Sequence, residues 1–184
     1  MKELYRRFVG FSTLELVVGV WVLAIVAGMA LVSMAGALPG LRANAGLEQL
    51  VEQIRAARES AMAEHRSYQV RLIAPDKIQL RRLESPSGSK DFPAVLLGNT
   101  VQFTLFPGLP DTPDRFGNAT AIALGGTTLT FLADGRVVDS TVAPVKGSIF
   151  IGVPDRPATA RAVTIDGAAG RVTAYHWTGS AWEE

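Results

Sequence analysis

The sequence contains no cysteine and only two histidines, His65 and His176. Without cysteine, the chain has no disulfide, no thiol nucleophile and no thiolate ligand for a metal ion. Neither histidine belongs to a Gly-x-Ser-x-Gly or His-Glu-x-x-His motif, so the sequence indicates neither a serine hydrolase nor a zinc protease. We therefore predict that the protein is not an enzyme, and that it uses no cofactor and no metal.

One long segment lacks charged residues, because residues 16–38 contain no Asp, Glu, Lys or Arg. A helix of this length, with a rise of about 1.5 Å per residue, is long enough to cross the roughly 30 Å hydrocarbon core of a bilayer. A cleaved secretory signal has an apolar region of only about 7–15 residues. Basic residues outnumber Glu3 within residues 1–10. The positive-inside rule therefore predicts a single-pass membrane protein with residues 1–10 in the cytoplasm and the chain beyond residue 38 on the other side of the membrane.

Glu15 stands at the head of this apolar run. A carboxylate near the centre of a membrane helix costs roughly 2.5–3.5 kcal/mol, so it needs a partner or a shallow position. One explanation is that Glu15 only complements the positive end of a helix that Ser12 or Thr13 caps. That explanation accounts for a tolerated acid but not for the residues that precede it.

Residues 10–15, Gly-Phe-Ser-Thr-Leu-Glu, resemble the prepilin processing site of type IV pilins and type II secretion pseudopilins. The resemblance implies that a prepilin peptidase and N-methyltransferase cuts between Gly10 and Phe11 and methylates the new amine of Phe11. It also implies an assembly role for Glu15, whose carboxylate would pair with the amine of a neighbouring pilin in a filament. Major pilins usually have a proline within the membrane half of the helix, whereas the first proline here is Pro39.

Removal of residues 1–10 would change the charge balance of the chain. The full sequence has 18 Lys and Arg against 17 Asp and Glu, and the first ten residues hold three of the basic and one of the acidic residues. A processed chain would carry 15 basic and 16 acidic residues, counted from the same sequence. A nearly neutral domain gives no general electrostatic reason to bind nucleic acid.

Beyond residue 38 the apolar pattern becomes amphipathic. Apolar residues recur at spacings of three and four, and this pattern predicts a periplasmic helix over residues 39–66. The recurring apolar residues are Leu47, Leu50, Val51, Ile54, Ala57 and Ala61. We interpret this stripe as the face that packs on the chain's own domain. Because Pro39 and Gly40 disfavour helix continuity, we expect an interruption or softening near residues 37–45.

From Ser67 onward the apolar period is two, which is typical of strands. Residues 68–73 and 77–83 predict a hairpin, and residues 85–91 and 108–126 are interpreted as exposed loops. Further strands are predicted at 95–97, 101–106, 128–132, 137–138, 148–153, 162–165 and 172–177. The predicted fold class is α+β, in which a long N-terminal helix over residues 11–66, transmembrane and then amphipathic, packs on an antiparallel two-sheet β domain over residues 67–184.

Three segments of this domain resemble the GspH/FimT group of minor pseudopilins and minor pilins. They are residues 129–136 (Leu-Thr-Phe-Leu-Ala-Asp-Gly-Arg), 161–167 (Arg-Ala-Val-Thr-Ile-Asp-Gly) and 170–173 (Gly-Arg-Val-Thr). The resemblance implies a pilin-like fold and a non-catalytic subunit of a type II secretion pseudopilus or a type IV pilus. It places the subunit in the tip or initiating complex.

DNA is an alternative partner, because some FimT-like proteins bind it through a Gly-Arg-x-Arg arrangement. This chain has only the first arginine of that arrangement, Arg171. A DNA-binding face would need other cations to converge with it, and aromatic residues for stacking on bases. The candidate residues are Lys146, Arg156, Arg161 and Arg171, with Tyr175 and Trp177.

Two further alternatives remain open from the sequence. Asp111, Asp114 and Asn118 form an oxygen-rich loop that is a candidate for calcium, although its spacing matches no known ligand loop and a solvated loop is the simpler interpretation. The other alternative is a signal-anchored periplasmic domain that keeps residues 1–10.

Overall fold

The computed structural model describes residues 12–98 and 100–184, without the side chains of residues 31–33. The chain divides into two compact units, Met1–Leu38 and Pro39–Glu184. A single helix, α1 (Thr13–Glu64), contributes residues to both units. At its start the Leu14 amide donates a hydrogen bond to Oγ of Ser12 at 3.4 Å, so Ser12 occupies the capping position that the sequence suggests.

The first unit contains the apolar half of α1. Every side chain in residues 12–30 and 34–37 is exposed, including Trp21 at 68% and Leu23 at 69% of full exposure. Among the described residues, α1 is the helix that is long and apolar enough to cross a membrane.

The expected interruption of the helix near residues 37–45 is not observed. The helical conformation runs from Thr13 to Glu64 with Pro39 inside it. Proline removes one backbone donor and disfavours the preceding turn, but the residues that follow it pack closely, and Ala43 is fully buried. We infer that this tertiary packing outweighs the local preference for a break.

The second unit adds twelve described strands and one 3₁₀ turn to the C-terminal half of α1. In chain order they are β1 (Tyr68–Ile73), β2 (Lys77–Leu83), β3 (Ser89–Asp91), β4 (Val95–Leu96), β5 (Gln102–Phe103), β6 (Ile122–Ala123), β7 (Thr128–Phe131), β8 (Val137–Val138), β9 (Lys146–Gly152), the 3₁₀ turn η1 (Pro157–Thr159), β10 (Arg161–Asp166), β11 (Arg171–Trp177) and β12 (Trp182–Glu183).

The strands form two antiparallel sheets. Sheet A has the order β3-β2-β1-β7-β8, with β4 also pairing with β2, and sheet B has the order β12-β11-β10-β9-β5, with β6 also pairing with β9. The predicted hairpin is confirmed, because β1 and β2 pair in the register Tyr68↔Arg82 to Ile73↔Lys77. The alternation of apolar residues in β1 buries every second side chain, beginning with Tyr68.

The main core combines residues of α1 with the facing sides of both sheets. Its fully buried members include Leu50 and Ile54 from α1, Val70 from β1 and Val163 from β10. A second, smaller cluster contains Phe106, Phe150, Ala160, Ala162, Tyr175 and Trp182. Successive side chains of a strand point to opposite faces, so Ala162 and Val163 show that sheet B is covered on both of its faces.

The predicted exposed loops are only partly loops. Residues 85–91 include β3, and residues 108–126 include β6, where Ile122 pairs with Ile149 of β9. Leu124 is buried in the main core. We attribute the error over residues 108–126 to their proline, glycine and aspartate content, which is typical of solvated turns. Here Leu109 and Asp114 contact the outer face of sheet B, and Leu124 packs in the main core.

Candidate functional site

Of the residues predicted for processing and assembly, Glu15 is described in the structure. Gly10 and Phe11 lie outside the described residues. Glu15 lies in the first turn of α1, where a carboxylate complements the positive end of the helix. Its side chain is exposed, and the described part of the chain offers it no hydrogen bond or ion pair. Glu15 is therefore open to a partner from outside the chain.

The C-terminal half of α1 is part of the domain core. Leu50, Ile54, Ala57 and Ala61 recur at helical spacing and are all fully buried, which confirms the predicted amphipathic face. At Gly46 the helix lies close to the connection between β4 and β5, because a Cβ added there would lie 2.8 Å from the Leu97 carbonyl oxygen. A side chain at this position would collide with backbone that has little freedom to move.

Arg161 is one of the four cations considered for DNA, and it is buried. Its Nε donates a hydrogen bond to Oδ1 of Asn44 on α1 at 2.8 Å, and Nη1 donates to the Ala160 carbonyl oxygen at 2.8 Å. Burial lowers the pKa of the Arg161 guanidinium from its usual range. Arg161 therefore connects β10 to the helix and offers no charge at the surface.

Two of the other cations lie together at one end of sheet B. Asp166 stands opposite both Lys146 and Arg171 in the strand registers. Nζ of Lys146 lies 3.7 Å from Oδ2 of Asp166, and Nη2 of Arg171 lies 3.1 Å from Oδ1 of Asp114. Each of these two cations thus already has an acidic partner within the chain.

The remaining cation, Arg156, is exposed in the connection between β9 and β10, near the Arg161 end of β10. Arg161 and Asp166 are separated by the length of β10, about 17 Å at roughly 3.4 Å per residue. The four candidate cations therefore do not form one patch. The aromatic candidates also have other roles, since Tyr175 is buried and the Trp177 ring packs edge-on against Trp182 at 5.3 Å.

A polar cluster around Asp114 was not predicted from the sequence. Oδ2 of Asp114 accepts hydrogen bonds from the Thr164 hydroxyl at 2.5 Å and the Tyr175 hydroxyl at 3.2 Å, while Oδ1 accepts one from Arg171 at 3.1 Å. Burial, followed by the negative charge of Asp114, raises the pKa of Tyr175. The cluster fastens the 108–121 loop to the outer face of sheet B.

The same loop contains the oxygen-rich residues considered for calcium, and their polar atoms point to protein partners. Asp111 accepts hydrogen bonds from the backbone amides of Thr112 at 2.8 Å and Gly117 at 2.9 Å. The Asn118 side-chain amide donates to the Leu109 carbonyl oxygen at 3.1 Å. Within residues 12–98 and 100–184, no group of three His, Cys, Asp or Glu residues has the arrangement of a metal site.

The glycine turns of the sequence motifs meet the helix at Arg58. Gly135 and Gly170 have φ values of 82° and 62°, which favour glycine. A Cβ added to Gly170 would lie 2.8 Å from both Nη2 of Arg58 and the Gly135 carbonyl oxygen. In the same region, the Gly167 amide donates to Val145 O at 2.6 Å, and Val137 N donates to Gly167 O at 3.0 Å. These turns join the two sheets and the helix.

Together these features define a pilin-like α+β protein. The long helix has an exposed apolar half, and its other half is buried against two antiparallel sheets. The polar contacts of Arg161 and Asp114 hold elements of the domain together.

No family model matches the chain, and no curated protein matches its sequence. Among solved structures, the chain is similar to the minor pseudopilin EpsH from the type 2 secretion system of Vibrio cholerae, with a TM-score of 0.50, 13% identity and coverage of 72% of this chain and 95% of that chain. It is also similar to the type IV minor pilin FimU of Pseudomonas aeruginosa in two crystal forms. Both forms give a TM-score of 0.49 and cover 77% of this chain, with 18% and 17% identity and coverage of 97% and 92% of the FimU chains.

The similarity to EpsH confirms the predicted fold class and the pilin-like resemblance at the level of the fold. At 13% identity the comparison transfers no residue role from that protein.

Proposed function

We propose that this chain is a minor pilin or pseudopilin, a non-catalytic subunit that is anchored in the inner membrane and then assembled into a filament with other pilins. One observation carries the proposal. The helix that packs in the core of a pilin-like domain also contains a membrane-length apolar half, and almost all of the described side chains in that half are exposed.

The energetics of the apolar half support a partner outside the chain. Burying one large aliphatic side chain is worth roughly 1.5–3 kcal/mol, and the exposed residues include Leu14, Leu16, Val17, Val18, Val20, Trp21, Val22, Leu23, Ile25 and Val26. Soluble monomers rarely expose a continuous apolar surface of this extent. Lipid would cover it in the membrane, and neighbouring helices would cover it in a filament.

The proposed maturation begins with cleavage between Gly10 and Phe11 and methylation of the Phe11 amine by a prepilin peptidase and N-methyltransferase. The protonated N-methyl amine of Phe11 in one subunit then pairs with the Glu15 carboxylate of its neighbour. In hydrocarbon surroundings such a pair is much stronger than in water, and an unpaired carboxylate is costly. Glu15 thereby favours the axial register in which every subunit finds a partner.

The geometry of the candidate cations gives no reason to prefer DNA as the partner. Arg161 is buried, while Lys146 and Arg171 have acidic neighbours. We therefore propose the structural role, with the leader on the cytoplasmic side and residues 39–184 in the periplasm.

The N-terminus of the membrane-extracted chain from its native host tests the proposal. Intact mass spectrometry should find a chain that begins at N-methyl-Phe11 in the wild type, and an uncleaved chain in the Gly10→Ala variant. Ser12→Ala is the matched control, because it alters a neighbouring residue and should leave cleavage unchanged. An intact leader in the wild type would contradict processing and favour the signal-anchored alternative.

A further inference from the structure

Strand β11 has one open edge. On one side it pairs with β10 along its whole length up to His176, in the register Asp166↔Arg171 to Arg161↔His176. On its other side, β12 pairs only with His176 and Trp177. Within the described part of the chain, residues 171–175 therefore have no strand beside them on that side.

The direction of the backbone groups at this edge follows from one hydrogen bond. The Trp177 amide donates to the Ala160 carbonyl oxygen at 3.1 Å, so Trp177 points its backbone groups toward β10. In an antiparallel pair this orientation alternates along the strand. Val172 and Ala174 therefore direct their N–H and C=O groups to the open edge, where no backbone group in the described residues pairs with them.

A groove of about 600 Å³ lies beside this edge, between α1 and Ala174. The apolar part of its lining comes from Leu47, Val51 and Ala56 on the helix together with Ala174 on the strand. The groove therefore combines an apolar floor with the unpaired backbone groups of an edge strand. Sheet edges of this kind are where proteins add strands from other chains.

Charged residues of α1 give the groove an acidic rim. The charged residues that line the groove are Glu48, Glu52 and Glu59, together with one basic residue, Arg55. The four residues carry a net negative charge, so a basic segment complements them better than a neutral or acidic one.

We propose that the open edge of β11 accepts a short extended segment of a partner chain, which has apolar residues at alternate positions and Lys or Arg between and beside them. Val172 and Ala174 would exchange backbone hydrogen bonds with the segment, its apolar side chains would cover the groove floor, and its basic side chains would reach the rim. Five open residues accommodate a strand of about 17 Å. This binding mode goes beyond filament assembly and does not depend on it.

The test uses the full-length chain in nanodiscs of zwitterionic phosphatidylcholine, which does not attract a basic peptide by charge. The probe is the peptide acetyl-Lys-Val-Lys-Val-Lys-Val-Lys-amide. We expect saturating probe to slow hydrogen exchange of the Val172 and Ala174 amides by at least about tenfold. The Thr173 amide faces β10, so it should be protected with or without probe and serves as the internal control.

Two altered probes separate the components of the interaction. A peptide with alternate backbone amides N-methylated keeps its side chains but loses donors, and a peptide with Glu in place of every Lys keeps its backbone but reverses its charge. Each should bind at least about tenfold more weakly than the basic probe, which corresponds to about 1.4 kcal/mol. Equal affinity for either altered probe, or unchanged exchange at Val172 and Ala174, would overturn the proposal.

Two protein variants complete the test. Ala174→Pro removes an outward N–H donor, and proline is tolerated where the N–H of an edge strand faces solvent. Glu52→Lys changes only an exposed helix residue, so it tests the rim even where the proline variant is unstable. We expect at least about fivefold weaker probe binding by each variant. Wild-type affinity in Glu52→Lys together with normal binding in a folded Ala174→Pro would contradict the assignment.

Discussion

The two halves of α1 have the same conformation and opposite surroundings. In residues 16–38 the described side chains carry no charge, and almost all of them are exposed. In residues 39–64 most apolar side chains lie on one face that is buried against the sheets, whereas Leu41 and Met62 are exposed. The comparison shows that helix formation alone does not indicate what a segment packs against. The distribution of charge does indicate it. An uncharged segment needs lipid or other helices to cover it, whereas an amphipathic segment packs its apolar face on its own domain.

The largest expected difference between the two halves of α1 is in the free energy of unfolding, when isoleucine is replaced by alanine in each half. Ile54→Ala removes a fully buried side chain and should lower the free energy of unfolding of the domain by about 2–5 kcal/mol. Ile25→Ala removes a side chain that is 56% exposed, and should change that free energy by less than about 0.5 kcal/mol. Urea unfolding of the full chain in detergent, followed by tryptophan fluorescence, measures both, and similar losses would contradict the distinction.

Replacing glycine by alanine in each half of α1 should change the free energy of unfolding by a smaller amount, and differently in the two halves. Alanine normally stabilises a helix relative to glycine by up to about 1 kcal/mol. Gly46→Ala should nevertheless lower the free energy of unfolding by about 1–3 kcal/mol, because overpacking forces neighbouring groups to shift. The new Cβ would meet the Leu97 carbonyl oxygen at 2.8 Å and Cγ1 of Val101 at 2.9 Å.

Gly28→Ala is the control in the apolar half, since nothing lies within 4 Å of an added Cβ there. Thermal unfolding should show a lower midpoint for Gly46→Ala and an unchanged domain midpoint for Gly28→Ala. A midpoint for Gly46→Ala at or above that of the wild type would mean that the helix is not held tightly against the Leu97 backbone.

The comparison extends to the two faces of sheet B. The helix covers the inner face, and the 108–121 loop covers the outer face. Asp114→Asn keeps the shape of the side chain but removes the charge that Thr164, Tyr175 and Arg171 contact, so we expect a loss of about 1–2 kcal/mol in the free energy of unfolding. Asp155→Asn, at an exposed position, should be nearly neutral. Guanidinium unfolding curves compare the two, and equal midpoints would show that the Asp114 contacts contribute little to stability.

The smallest effect concerns the glutamates at the two ends of α1. A hydrogen bond from the Tyr68 hydroxyl, and then the Arg82 guanidinium, hold the pKa of Glu64 below its usual range. A folded-state pKa below the unfolded value stabilises the protein at neutral pH, and this contribution is lost as the pH falls through the folded-state pKa.

Glu64→Gln should therefore unfold slightly more easily than the wild type at pH 7, and the difference should shrink below about pH 4. Glu15→Gln should not alter domain unfolding, because Glu15 has no partner among the described residues. Its effect should appear only in co-assembly with other subunits. Chemical denaturation at a series of pH values is the measurement. A pH-independent defect in Glu64→Gln would mean that its ionisation is not coupled to folding.

The amphipathic helix and the hairpin were predictable because their signals are local and periodic. Leu50, Ile54 and Ala57 recur at helical spacing, and β1 alternates buried and half-buried residues. Arg161 also has a local signal, since it shares a strand face with the buried Val163, but arginine is so rarely buried that the residue type by itself predicts a surface cation. The Asp114 cluster joins residues that are 50 or more positions apart in the sequence, and no periodicity reports such a contact.

The continuity of α1 past Pro39 has a mechanical consequence. Because one helix contributes both the apolar half and the core residues Leu50 and Ile54, there is no loop between them to absorb extension. Tension applied to residues 13–38 would pass along the helix axis and act as shear on the contacts between α1 and the sheets. The contacts of α1 with the sheets, among them those of Leu50 and Ile54, would therefore set the load that the domain withstands when residues 13–38 are pulled.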